Sequence, residues 1–61
     1  MLRVYRLHFI GPSGVIEELE IRAPNAGAAI DEVDRLPWPP RATSLRLIDL
    51  DGAVLAERRR P

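Results

Sequence analysis

The sequence predicts a two-layer α+β domain in the order strand, strand, helix, strand, strand, with one helix packed on one face of a four-stranded sheet. Three observations carry that prediction. Stretches 3–10 and 15–22 alternate apolar and polar residues at the period of a strand and are separated by the turn formers Gly11-Pro12-Ser13-Gly14. Ala26, Ala29, Ile30, Val33 and Leu36 then recur at helical spacing. Stretches 43–50 and 53–58 finally flank Asp51-Gly52, the strongest short hairpin signal in the chain.

In the first strand, Tyr5, Leu7 and Phe9 point one way and Arg6 and His8 the other. Proline can pre-set φ in the turn that follows, and a glycine can take positive φ. In the second strand Val15, Leu19 and Ile21 share a parity with Glu17, while Ile16, Glu18, Glu20 and Arg22 share the other. Glu17 is out of place among apolar neighbours, which puts it at the sheet rim or calls for a bulge. Pro24 stops the strand, and Asn25 can cap a helix over 26–36 by accepting a hydrogen bond from an early helical N–H. Asp31 and Arg35 have i,i+4 spacing, and Pro37 ends the helix by disfavouring helical dihedrals at Leu36.

Pro37-Trp38-Pro39-Pro40 is a stiff connector whose tryptophan is expected to cover the end of the core. A two-residue Asp51-Gly52 loop would pair Leu50 with Ala53, Ile48 with Leu55 and Arg46 with Glu57. Arg58-Arg59-Arg60-Pro61 reads as a frayed tail. The expected sheet order is 2-1-4-3, with the first and last strands parallel at the centre as in β-grasp domains of the protein G type. An all-antiparallel 2-1-3-4 sheet is the alternative.

The 61 residues suffice for one small domain spanning 1–61 and leave no room for a second module. Nine basic residues, every one an arginine, balance nine acidic ones, so no global field attracts nucleic acid or an anionic membrane. The arginine bias fits a GC-rich bacterial coding preference. With no cysteine and a single histidine, neither disulfides nor a thiolate metal site can be assembled. The N-terminal stretch is interrupted by arginines and does not read as a secretion signal, and no apolar run is long enough to span a bilayer. A cytoplasmic protein is expected.

Candidate chemistry is sparse. Asp49-Leu50-Asp51-Gly52, at the end of an apolar strand, resembles the first motif of haloacid-dehalogenase-type phosphotransferases. Such a site also needs a lysine and a sheet downstream, and this chain has neither, so the motif reads as a hairpin turn. Glu17, Glu18 and Glu20 read as solvated strand carboxylates, and His8 has no nucleophile placed beside it. No catalytic residue, cofactor, metal or small-molecule substrate is expected.

The sheet itself is more informative. Tyr5, Leu7, Phe9, Val15, Leu19, Ile21, Leu45, Leu47, Val54 and Ala56 are expected to face the helix. Val4, Ile10, Ile16, Ile48, Leu50 and Leu55 are left on the other face with His8 and several charged residues, and one helix cannot cover both faces. Val4, His8, Ile10, Ile16, Ile48, Leu50 and Leu55 are therefore the expected partner surface. The reading is a non-enzymatic protein-interaction or self-association module, a homodimer or a protein complex, using this face or an edge strand. The alternative is weak nucleic-acid association through Arg6, Arg22, Arg46 and the Arg58–Arg60 tail.

Tyr5-x-Leu7-x-Phe9, the glycine-containing turn, the acidic second strand, the Ala26/Ala28/Ala29/Ile30 helix and the closing Leu47-Ile48-Asp49-x-Asp51-Gly52-x-x-Leu55-Ala56 together resemble small ββαββ proteins widespread in proteobacteria. The resemblance covers nearly the whole chain and implies a fold. It implies no activity.

Overall fold

The computed structural model describes residues 1–61. Alternation in the first stretch becomes strand β1 (Arg3–Gly11), with Tyr5, Leu7, Phe9 and Gly11 buried on one face. A tight turn at Pro12-Ser13 leads into β2 (Gly14–Ala23), and Gly11 pairs with Gly14 across it. Helix α1 (Ala26–Val33) is capped as expected, with the Asn25 carboxamide oxygen accepting from Ala28 N–H at 2.9 Å. Regular α-helix ends three residues before the expected Leu36. Arg35 and Leu36 instead donate to Glu32 and Val33 in a tighter i→i−3 turn ahead of Pro37. Strands β3 (Ser44–Ile48) and β4 (Val54–Arg59) complete the chain.

The sheet order is β2-β1-β3-β4 with every neighbour antiparallel. This corrects the expected 2-1-4-3 order in favour of its alternative. The reason lies in the side chains that reach the core. β3 contributes Leu45 and Leu47, 4% and 0% exposed, whereas β4 offers Arg58 and Ala56 at the paired positions. A central β4 would bury the Arg58 guanidinium under the helix, at a desolvation cost that no ion pair readily offsets.

The core consists of Tyr5, Leu7, Phe9, Ile21, Ala23, Ala29, Val33, Ala42, Leu45 and Leu47. Trp38 is half-buried against it, with its ring edge-on to Phe9 at a centroid distance of 5.8 Å and an interplanar angle of 62°. The connector crosses β1 so closely that a Cβ at Gly11 would lie 3.0 Å from the Arg41 carbonyl oxygen. Thr43 holds this crossing through its N–H and its hydroxyl, which donate to the Ile10 carbonyl at 2.8 and 3.2 Å.

Both hairpins carry a bulge. On β2 the extra residue is Ile16, because Phe9 pairs with Glu17 while Ile10 pairs with Val15. Val15 consequently leaves the helix face where it was expected and lies 57% exposed opposite Ile10. On β4 the extra residue is Leu55, because Leu47 pairs with Ala56 and Ile48 with Val54. The two-residue loop is thereby corrected as well. Asp49 N–H donates to the Ala53 carbonyl at 3.0 Å and Gly52 N–H to the Asp49 carbonyl at 3.1 Å, leaving Leu50, Asp51 and Gly52 at the tip. Gly52 has φ of 87°, the left-handed conformation that a three-residue hairpin loop needs at its last position. The register agrees with expectation only at Arg46 opposite Glu57.

The tail is not frayed. β4 extends through Arg59, and Arg58 Nε donates to Asp34 Oδ1 at 3.3 Å just past the end of α1. Asp34 takes the arginine contact that i,i+4 spacing suggested for Asp31 and Arg35, neither of which has an ion-pair partner. Arg60 Nη1 donates to the carbonyls of Pro39, Pro40 and Ala42 at 2.9, 3.2 and 3.3 Å, clasping the connector to the end of β4.

Candidate functional site

Two surfaces of the sheet are free: the face turned away from α1, and the outer edges of β2 and β4. Strand alternation places Val4, His8, Ile10 and Ile48 on that face as expected, each half-buried. The other three expected partner residues lie elsewhere than on that face. Ile16 is displaced by the bulge, and its Cγ2 sits 3.2 Å from the position a Gly11 Cβ would occupy. Leu50 is at the loop tip, 65% exposed. Leu55, also bulged, packs against the core cluster. Val54, expected in the core, takes a place on the uncovered face opposite Ile48.

Charged residues break up the apolar ones. One cross-strand row runs Glu18, His8, Arg46, Glu57 from edge to edge. His8 Nε2 lies 2.6 Å from Glu18 Oε2, and Arg6 Nη1 donates to Glu18 Oε1 at 3.3 Å. Arg22 Nε donates to Glu20 at 2.7 Å. Arg46 Nε is 3.7 Å from Glu57, close enough for ionic attraction and too long for a hydrogen bond, so this enclosed nitrogen is left without a partner.

The hydrogen bond from His8, aided by the positive charge of Arg6, holds the Glu18 carboxyl below its ordinary value of 4.5. A lowered folded-state value means that the stabilising effect is complete above 4.5 and is lost as pH falls through the folded value. Acid titration of the wild type should therefore show stability declining below pH 4.5, and Glu18→Gln should lose less over the same window. Equal slopes in urea midpoint against pH would refute the coupling.

Asp49 and Asp51, the pair singled out by the phosphotransferase-like motif, serve the turn. Asp49 Oδ1 accepts from the N–H groups of Asp51 and Ala53, both at 2.9 Å, so its carboxylate is spent on local backbone. No cluster of three or more His, Cys, Asp or Glu side chains could hold a metal ion. No helix is long and apolar enough to cross a membrane.

The edges differ in chemistry. β2 is the longer, ten residues against six; its first half is exposed and carries Glu17 and Glu18, and Glu20 follows in the second half. Glu17 keeps the parity of Leu19 and Ile21 and so lies on the helix side of the sheet, opposite Phe9 and just before the bulge, where it forms no ion pair or hydrogen bond. A charged residue on the otherwise apolar parity of β2 is the one signal of this position in the sequence. Beside it opens a hollow of about 370 Å³ between β2 and the proline-rich connector, lined by Phe9, Leu19, Leu36, Trp38 and the connector prolines. No protein-family model matches this chain, and neither a curated protein nor a solved structure matches it.

Proposed function

We propose that this chain is a non-catalytic interaction module that binds an extended, basic segment of a partner protein along the outer edge of β2. The observation that carries this reading is a ten-residue edge strand with an exposed, acidic first half and no neighbour on its outer side. An unpaired edge offers a ladder of N–H and C=O groups, and a partner strand gains affinity from those main-chain bonds. The three glutamates act twice. They repel a second β2, which would set acid against acid, and they favour a strand carrying Lys or Arg.

The uncovered face is the weaker candidate. Apart from Arg46 Nε, its polar groups already meet partners through the Arg6–Glu18 and Arg22–Glu20 ion pairs and the His8–Glu18 hydrogen bond, and a lid over them would strip their water. Nucleic-acid association through the tail has less support, because Arg58 and Arg60 are engaged within the fold.

Backbone amide NMR with a ten-residue peptide of alternating valine and arginine tests the proposal. Shifts and slowed exchange should concentrate on β2, from Val15 to Glu20. Shifts confined to Val4, His8 and Ile48 would move the site to the uncovered face and overturn the edge reading, as would silence at millimolar peptide.

A further inference from the structure

The geometry points to a side-chain pocket at this edge: Glu17 and the Trp38 hollow together form a site for one lysine or arginine of the bound segment. The inference rests on the β2-edge reading and adds to it the residue class that the partner must present. Strand pairing alone is indifferent to side chains, so selectivity has to come from pockets flanking the strand. Along the exposed half of β2, the hollow beside Glu17 is the apolar recess.

Its composition selects the occupant. Phe9, Leu19, Leu36 and Trp38 give apolar and aromatic walls, and the exposed, unpaired Glu17 carboxylate stands among them on the helix side of the sheet. An aliphatic stem ending in a cation satisfies both parts: its methylenes lie against the walls and its head meets the carboxylate. A neutral or acidic strand residue would instead crowd Glu17 without neutralising it, which makes the same carboxylate a barrier to the wrong partner. The occupant belongs to a different protein. This chain's own arginine-rich segment is held by Asp34 and by the Pro39, Pro40 and Ala42 carbonyls.

Trp38 is the single tryptophan, so the hollow carries its own fluorescent reporter. Titrating the valine–arginine peptide should shift Trp38 emission in parallel with the β2 amides. Glu17→Gln, at an exposed position, should keep the wild-type circular dichroism and weaken the peptide by about tenfold, the scale of one charge-assisted hydrogen bond. Glu18→Gln, which removes the same charge from the opposite face, should have a smaller effect, and a valine–glutamate peptide should not bind. Should β2 amides shift while Trp38 stays silent, or Glu17→Gln bind as tightly as wild type, the pocket is refuted and the edge reading stands. Absence of any β2 response removes both. Concentration-dependent Trp38 changes without peptide would make the occupant a second copy and overturn the inference.

Discussion

Leu47→Ala is expected to leave the domain largely unfolded at 25 °C. Leu47 is 0% exposed at the centre of the sheet, facing Leu7 on β1 and Ala56 on β4. Truncating a fully buried leucine costs about 2–5 kcal/mol through lost burial and the cavity left behind. A domain of this size has about 3–5 kcal/mol to lose, so the two quantities are comparable. The strand order makes the prediction specific. Leu55→Ala, at the bulge on edge strand β4, removes the same atoms from a half-buried site and should cost about half as much or less. Urea titration followed by circular dichroism checks both: Leu47→Ala should lose its cooperative transition and Leu55→Ala should keep it. Comparable losses at the two positions would contradict the central placement of β3.

The strand order was legible in a feature that overall apolarity conceals. Stretches 43–50 and 53–58 are similarly apolar, but a central strand must send bulky side chains to one face at every second position. Leu45 and Leu47 do so, whereas their β4 partners are Arg58 and Ala56. Alternation therefore placed Val4, His8, Ile10 and Ile48 correctly on the face away from the helix. It failed at Ile16, Val15, Val54 and Leu55, because one bulged residue inverts the parity of everything beyond it. Whether a bulge forms is decided jointly by two strands. The misplaced Glu17 was its sole trace in the sequence, and the same residue borders the candidate pocket. Arg60 left no trace at all: its acceptors are connector carbonyls, and backbone carbonyls are the same whatever the sequence. Asp31 and Arg35 show the opposite error, a spacing that permits a contact the fold does not make.

Trp38→Ala is expected to cost more than a connector residue usually would, because the helix is too short for the sheet it covers. Eight helical residues rise about 12 Å, while the nine residues of β1 extend about 30 Å. Over the Phe9 end of the core the connector takes the helix's place, and Trp38 supplies the large surface there. Full burial would put its removal at about 3–5 kcal/mol, and half-burial lowers the expectation to about 2–3 kcal/mol. Arg60→Ala distinguishes the tryptophan's own packing from the clasp that positions it. It leaves the indole in place and deprives the Pro39, Pro40 and Ala42 carbonyls of their shared donor, at a cost of about 1 kcal/mol. Its larger consequence should be optical: a connector released from β4 hydrates the indole and moves Trp38 emission to longer wavelength without unfolding the sheet. A Trp38→Ala loss below about 0.5 kcal/mol would mean that the Phe9 end of the core needs no cover. An unchanged emission in Arg60→Ala would mean that Thr43 and the tight crossing at Gly11 hold the connector by themselves.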